Sequence, residues 1–424
     1  MMRAVLLVMV ILALPPCALA AENQGSVAAS DLPPAAQVAQ ALRRHPLVRS
    51  AAAGVRTETA NRERLIAGPH ETSLTFAAQR KRDRTIDLST QEYEVGIARP
   101  IRLPGKAAKD AELGAVGVEQ AGFELGDALH ETARLLLRQW FSWQREATAM
   151  IERTAQLAQW QRQHDVVQKR VSAGDAPRME SLLSEAQVMQ AQSALAEAAT
   201  RRALAENEFA RNFPTLELPA QIIPAEPSAV VSSATGWRER ILTHNHELAV
   251  ARSAAKRAQL TAQRLEAERM PDPTLGLKLA SERDGQDRIV GLQFSIPFSG
   301  GARSASARAG SAQADAAGAR EALILSRVEV EAWRTLNQAE ASHAQWRRLS
   351  DIAARMDENA GLLEKAWRLG EGQFIELQAA RRQANEARLG AAQARLDANE
   401  ARYRLLLDAH ELWELDDATP SSAP

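Results

Sequence analysis

Four short segments of the chain alternate between apolar and polar residues with a period of two. They lie in two pairs, at about residues 72–82 and 90–101 and at about residues 273–281 and 287–298. In the last segment the apolar positions are Val290, Leu292, Phe294 and Ile296, and small or polar residues separate them. Alternation over about ten residues is typical of β-strands that cross an outer membrane with one apolar face. We therefore predict four such strands, joined in pairs by charged loops.

Very long helices are predicted after each pair of strands. No proline occurs from Ala107 to Val171 or from Ala302 to Gln373, and alanine, glutamine, glutamate, arginine and leucine dominate both stretches. This composition is typical of long packed helices. At about 1.5 Å per residue, a helix of about 65 residues spans roughly 100 Å. Periodicity alone fits a soluble helical bundle equally well, so the strands must decide between the two interpretations.

The order of these elements occurs twice along the chain. His45-Pro46-Leu47-Val48 opens the first copy, and His246-Glu247-Leu248-Ala249 opens the second copy about two hundred residues later. In each copy two strands precede a long helix, a glycine turn and another helix. Because the matches keep the same order, we interpret the chain as a duplicated helix–strand–strand–helix unit.

The first twenty residues predict export. Arg3 precedes an unbroken apolar run from Ala4 to Leu14, and Ala18-Leu19-Ala20 offers the small residues that signal peptidase requires. Cys17 leaves open an alternative, lipidation, although two prolines stand where a lipoprotein signal needs small, flexible residues. The chain then divides into a signal peptide at 1–20, a polar lead-in at 21–35, a first repeat at 36–212, a linker at 213–236, a second repeat at 237–412 and a disordered tail at 413–424.

Composition removes several classes of function. Cys17 is the only cysteine, so a chain cleaved after residue 20 has no disulfide, thiolate metal site or cysteine nucleophile. The 52 lysines and arginines nearly balance the 53 acidic residues, which argues against nucleic-acid binding. Phosphate-binding loops, nucleophile elbows and zinc-protease motifs do not occur in the sequence. We predict no enzymatic activity and no cofactor.

Two strands in each repeat are too few to stand alone. An isolated hairpin is marginally stable in water. Four strands are also too few for a membrane barrel, which takes at least about eight. Three chains with four strands each would supply twelve. An exported chain with such strands and such helices therefore predicts a shared barrel that continues as a helical tunnel.

With these features the sequence resembles the TolC family of outer-membrane efflux proteins over about residues 36–412. The resemblance rests on the duplicated order, the glycine turns and the strand exits at Ile101–Lys106 and Ile296–Gly301. The first exit is similar to the Ile-x-Leu-Gly-Gly-Lys signature of the cobalt–zinc–cadmium (CzcC-like) branch, with Pro104 in place of a glycine. The resemblance implies a mainly α fold with a small β part. It also implies a homotrimer with a twelve-stranded outer-membrane β-barrel and a periplasmic α-barrel.

The same resemblance implies a function and partners. It describes a passive duct of a tripartite efflux system, surrounded by outer-membrane lipid and extending into the periplasm. The duct would meet a periplasmic adaptor (membrane fusion) protein and an inner-membrane pump of the RND type. Ile101–Lys106 favours heavy-metal cations as cargo, while drug or organic-solvent efflux and type I protein secretion stay open. An alternative of another class is a periplasmic coiled-coil adaptor or scaffold, which usually has one hairpin instead of a repeated unit.

Two glycine turns mark the predicted tips of the helical hairpins. Gly174 and Gly370 lie where two long helices must reverse, and glycine permits the positive φ that ends a helix. The resemblance implies that these tips, with Asp175 and Glu371, face the adaptor.

Two acidic residues, Glu180 and Glu376, lie six residues beyond these glycines. The resemblance places the position of Glu376 at the periplasmic entrance, where three symmetry-related carboxylates would attract cations. A second acid of the family, three residues further on, is replaced by Ala379. A solvated glutamate on a helix face explains either acid as well.

Histidines require separate attention because the possible cargo is metal. His244 and His246 form the only close pair, and residues two apart on a helix point to different faces. The other histidines are isolated in the sequence. We therefore predict no metal site.

Overall fold

The computed structural model describes residues 31–220, 224–231, 233–298 and 300–413. The predicted signal peptide, Cys17, the lead-in up to residue 30 and the tail from residue 414 lie outside the described residues. The elements are α1 (Ala35–Arg44), α2 (Pro46–Ala67), β1 (Ser73–Asp83), β2 (Leu88–Pro100), α3 (Pro104–Ser172), α4 (Arg178–Asn212), α5 (Ala234–His244), α6 (His246–Ala267), β3 (Thr274–Glu282), β4 (Asp287–Ser295), α7 (Gly301–Arg368) and α8 (Phe374–Asp408).

The duplicated unit is confirmed element by element. Helices α2 and α6 both have 22 residues, α4 and α8 both have 35, and α3 and α7 have 69 and 68. Each repeat also begins with a short helix, α1 or α5, which the sequence analysis did not separate from the next one. The break has a local cause in each case. Pro46 starts α2, and the Asn245 side chain accepts a hydrogen bond from the backbone N–H of Leu248 at 2.8 Å at the start of α6.

The main core lies about midway along the long helices. On α3, Leu129, Ala133, Leu136 and Trp140 are buried at intervals of three or four residues, the spacing of one helix face. They pack with Leu396 and Leu407 of α8 and with Val38 and Leu42 of α1. The short helix α1 therefore covers the long helices at their buried apolar core.

Both ends of the described chain are also held in this core. Tyr403 Oη donates to Asp31 Oδ1 at 2.8 Å, and Trp140 Nε1 donates to the backbone oxygen of Asp31 at 2.7 Å. Trp413 is buried in the same cluster, so the prediction that the disordered tail begins at residue 413 was wrong by at least this residue. Burial of the large indole ring explains the difference.

The four strands form one antiparallel sheet in the order β1-β2-β3-β4. Strands β2 and β3 join the two repeats, with Ile97 opposite Leu277. In the described part of the chain, β1 and β4 each leave one edge of the sheet unpaired. No helix among the described residues is long and apolar enough to span a membrane.

Candidate functional site

The register of the sheet collects the apolar residues of all four strands on one face. One row across the sheet contains Leu74, Ile97, Leu277 and Leu292, and the next row on that face contains Phe76, Val95, Leu279 and Val290. Leu292 is 86% exposed, Leu74 is 75% exposed and Val290 is 74% exposed. Contiguous exposed apolar surface of this kind marks contact with an apolar partner. The predicted alternation therefore holds, and it is aligned between strands.

Apart from Ile289, the rows of the opposite face that lie between these apolar rows are polar or small. They contain Thr75, Gly96, Lys278 and Gly291, then Ala77, Glu94, Ala280 and Ile289. Lys278 Nζ donates to Glu94 Oε2 at 2.6 Å. Gln79 Nε2 donates to Glu92 Oε2 at 2.8 Å. The sheet thus separates an apolar side from a hydrogen-bonded polar side.

A group of paired charges lies where the sheet joins the helices. We call it the joint network; its members are His70, Arg102, Lys106, Asp110, Arg264, Glu268, Asp272 and Arg303. Lys106 is only 1% exposed, and its Nζ lies 2.8 Å from Asp272 Oδ1 and 3.4 Å from Glu268 Oε2. Arg264 Nε donates to Asp110 Oδ1 at 2.7 Å. Because its members come from all four strand–helix junctions, the network ties the sheet to the rods.

The network holds its carboxylates ionised. Burial alone would raise the pKa of Asp272, but the nearby Lys106 ammonium and hydrogen bonds from His70 and the backbone N–H of Leu103 outweigh burial and lower that pKa. Glu268 behaves in the same way: Arg264, Lys106 and Arg303 overcome the effect of burial on its pKa and lower it. The chain itself thus compensates the charge of Asp272, whose side chain is 7% exposed, and of the half-buried Glu268.

The Ile101–Lys106 motif now has a structural explanation. Arg102 donates to the backbone oxygens of Leu65 and Ile66 at 2.6 and 2.7 Å, and so caps the end of α2. Pro104 is the first residue of α3, a position where no backbone N–H is needed. The proline therefore suits the start of the helix as well as a glycine would. Sequence analysis singled out this motif, including Lys106, but did not predict that the lysine is buried.

The two predicted hairpin tips have the same backbone geometry. Gly174 has φ +84° and Gly370 has φ +80°. Gly174 N–H donates to Val171 O at 3.1 Å and Asp175 N–H donates to Arg170 O at 2.8 Å; Gly370 and Glu371 make the equivalent bonds to Trp367 and Ala366. This is the Schellman motif that ends a helix at glycine.

The tips of the two hairpins lie side by side. Val167 of α3 packs with Trp367 of α7 and with Phe374 and Leu377 of α8. The Arg170 guanidinium lies over the Trp367 ring, 4.8 Å from its centroid. The glycine turns of both repeats therefore belong to one end of the molecule.

The two predicted acids occupy equivalent positions in the first turns of α4 and α8. Glu376 is exposed, whereas Glu180 is half-buried. A carboxylate in the first turn favours the helix through its dipole, so both positions have a structural explanation that does not require an entrance. Both acids lie at the same end of the molecule, because each follows one of the two hairpin tips and the tips lie side by side.

Sequence analysis missed a group of buried polar residues next to the tips. Gln163, Gln378, Arg381 and Asn385 are 4 to 7% exposed. Arg381 Nη2 lies 2.6 Å from Glu364 Oε2, and burial lowers the Arg381 pKa although Glu364 opposes the shift. Each of them is a polar residue at a helix position that the apolar periodicity would assign to the core. That feature could have identified them from the sequence.

Histidines that are isolated in the sequence come together in the structure. His130, His244, His246 and His410 lie together, because α3, the α5–α6 junction and the end of α8 meet at one place. In the described residues, no group of three or more His, Cys, Asp or Glu side chains is arranged to hold a metal ion as it stands.

No model of a known protein family and no curated protein matches this sequence. Solved structures match nearly the whole chain. The CmeC outer membrane channel of Campylobacter jejuni is 11% identical with a TM-score of 0.73, covering 89% of this chain and 85% of that one. The outer membrane protein VceC of Vibrio cholerae is 14% identical with a TM-score of 0.72, covering 89% and 95%. The open state of the Neisseria gonorrhoeae MtrE outer membrane channel is 16% identical with a TM-score of 0.62, covering 92% and 94%. This chain therefore has the fold of these outer membrane proteins, as the resemblance to the TolC family predicted.

Proposed function

We propose that this chain is the outer-membrane channel component of a tripartite efflux system, and that three copies form one passive duct. The observation that carries the proposal is the apolar face of the sheet, which is exposed across all four strands. Pairing β4 of one copy with β1 of the next would join three sheets into one barrel of twelve strands. The apolar rows would then contact outer-membrane lipid, and the polar rows with Lys278 and Glu94 would line the duct.

The helical hairpins supply the periplasmic part of this proposal. Rods of about 100 Å carry the duct away from the membrane. Their tips, formed by Gly174, Asp175, Gly370 and Glu371, would contact a periplasmic adaptor protein, and an inner-membrane pump of the RND type would supply the energy. The chain itself would bind no nucleic acid and catalyse no reaction.

Extraction of outer membranes in mild detergent tests the proposal. We expect a trimer that dissociates on heating, and we expect Leu292→Arg to reduce its yield because an arginine facing the middle of the lipid costs about 2–4 kcal/mol. Gln293→Arg is the matched control, since Gln293 lies on the other face of the same strand. A soluble periplasmic monomer would contradict the channel and favour the alternative of a coiled-coil adaptor or scaffold.

Glu376 is proposed as an acidic residue of the periplasmic entrance, with Glu180 near it. Three copies of Glu376 around one axis would concentrate cations at the opening. We expect Glu376→Ala to lower the cation preference of single channels in planar bilayers and to relieve block by divalent ions. Glu358→Ala, an exposed acid along α7, is the control. An unchanged permeability ratio in Glu376→Ala would remove Glu376 from the entrance.

Heavy-metal cations are the proposed cargo, on the strength of the Ile101–Lys106 motif alone. Two experiments on a deletion strain distinguish the candidate cargoes. One measures growth on cobalt, zinc and cadmium salts and on dyes and solvents; the other assays secreted protein. Sensitivity confined to the metals would support this cargo. Sensitivity confined to dyes and solvents, or loss of one secreted protein, would instead support drug efflux or type I secretion.

A further inference from the structure

Half of the eight histidines in the chain meet near the middle of the molecule. His130 comes from α3, His244 ends α5, His246 begins α6 and His410 follows α8. The His410 ring centroid lies 5.0 Å from that of His246, 5.1 Å from that of His130 and 5.5 Å from that of His244. Three regions that are far apart in the sequence, α3, the α5–α6 junction and the end of α8, thus bring four imidazoles to one place.

These separations match the geometry of imidazoles on one metal ion. With metal–nitrogen distances of about 2.1 Å, two imidazoles on a tetrahedral ion have centroids about 5 Å apart. We propose that the cluster binds one divalent transition-metal ion, with His130, His246 and His410 as ligands and His244 at the solvent-exposed side. The rings must turn to direct their nitrogens inward, and the centroids of His130 and His246, now 6.4 Å apart, must approach by about 1 Å. The broad χ2 preference of histidine allows the rotation.

His130 is prepared to act as a ligand. It is 6% exposed, and its Nε2 lies 3.2 Å from Asp408 Oδ1, while Nδ1 has no hydrogen-bond partner in the described part of the chain. A carboxylate that accepts from Nε2–H leaves the lone pair on Nδ1, which is the arrangement of a metal-bound histidine and its supporting carboxylate.

Asp408 is held in place for this supporting role. Arg134 and Arg404 each place a guanidinium nitrogen 2.9 Å from its carboxylate. These contacts and the bond with His130 overcome burial and lower the Asp408 pKa. The two arginine charges are thereby partly compensated before a cation arrives.

The backbone at His410 points to a role for its side chain. His410 has φ +60°, and His410 N–H and Glu411 N–H donate to Leu407 O and Leu406 O at 3.0 and 2.8 Å. This is the same Schellman geometry as at the two tips, where the chain has glycine. Residues other than glycine are uncommon in this conformation, although histidine is enriched there several-fold, and strained backbone accumulates at functional sites.

Gly126 makes room for the His246 ring. It lies one turn before His130 on α3, and a Cβ at this position would stand 2.5 Å from His246 Nδ1. A side chain there would displace the His246 ring from the cluster. His244 is exposed, so the site has a path to solvent.

Zinc titration of the full-length protein tests the proposal. The protein is purified without a histidine tag, stripped with EDTA and titrated with ZnCl2 by calorimetry; Co²⁺ absorption then reports the ligand geometry. We expect one ion per chain at micromolar or tighter affinity. His246→Ala and His410→Gly should each weaken binding at least tenfold, and Asp408→Asn should weaken it about 10–100-fold. His343→Gln, which replaces a histidine of α7 outside the cluster, should bind as the wild type does.

His410→Gly separates loss of a ligand from loss of the fold. Glycine fits the positive φ, so the metal-free variant should melt at a higher temperature than the wild type while binding zinc more weakly. Absence of saturable zinc binding would overturn the proposal, as would equal affinity in His410→Gly and His343→Gln. The result does not depend on whether the protein forms a channel.

Discussion

The joint network next to the sheet and the tips at the other end of the long helices differ in how their buried polar groups are paired. At the joint, the buried Lys106 ammonium has no hydrogen bond of good geometry, but its charge is compensated, because Nζ lies 2.8 Å from Asp272 Oδ1 and 3.4 Å from Glu268 Oε2. Next to the tips, neither amide atom of the Gln163 or Gln378 side chain has a hydrogen-bond partner among the described residues. Arg381 Nε and Asn385 Nδ2 share this condition.

This difference shows that a single chain compensates its buried charges at the joint but leaves buried polar atoms unpaired next to the tips. Removing one member of a buried ion pair costs about 3–5 kcal/mol, so a compensated network holds its geometry. A buried amide without a partner costs about 1–3 kcal/mol, which makes it a poor foundation for a rigid core.

Lys106→Met should produce the largest loss of stability. It leaves Asp272 and Glu268 without their shared ammonium, and we expect the free energy of unfolding to fall by about 3 kcal/mol in urea titrations in detergent. Lys256→Met is the control, because Lys256 is exposed and its Nζ lies 3.4 Å from Glu119 Oε2. That surface pair should contribute about 1 kcal/mol or less. Equal losses in the two variants would mean that the joint is no more rigid than the surface.

Gly370→Ala should destabilise the protein by an intermediate amount. A Cβ at residue 370 meets no atom within 4 Å, so only the left-handed backbone resists it, at about 1–2 kcal/mol. Gly361→Ala within α7 also enters open space but has ordinary helical φ, and it should stabilise by about 0.5–1 kcal/mol. Thermal unfolding of both variants measures the contrast. A gain in stability at residue 370 would show that the turn does not require glycine.

Gln378→Leu should have the smallest effect, and in the opposite direction. It removes an unpaired buried amide, so we expect the free energy of unfolding to stay level or to rise by about 1 kcal/mol. The control is Gln144→Leu, which removes the 2.8 Å hydrogen bond from Gln144 Nε2 to the backbone oxygen of Asp31 and should destabilise. A large loss in Gln378→Leu would show that the tip amide is paired, and would remove the contrast with the joint.

Local patterns were sufficient for the elements themselves. The strand predicted at about 273–281 is Thr274–Glu282, because alternation reports directly which residues share a face. Gly174 and Gly370 were predicted to end helices, because the positive φ of that turn restricts the choice of residue. The separation of α1 from α2 was missed, because the prolines and caps that break a helix act on a single turn and leave the longer periodicity unchanged.

The candidate sites divide in the same way. The sequence determined the apolar and polar alternation of each strand, but pairing of β2 with β3 decided that the two repeats share one apolar face. The sequence also showed the Ile101–Lys106 motif, yet the partner of Lys106 is Asp272 in the other repeat. His130 meets Asp408 across 278 residues, a contact that no spacing in the sequence predicts. Periodicity describes which neighbours share a face within one element, whereas ion pairs and ligand clusters depend on how separate elements pack, and only the tertiary structure decides that.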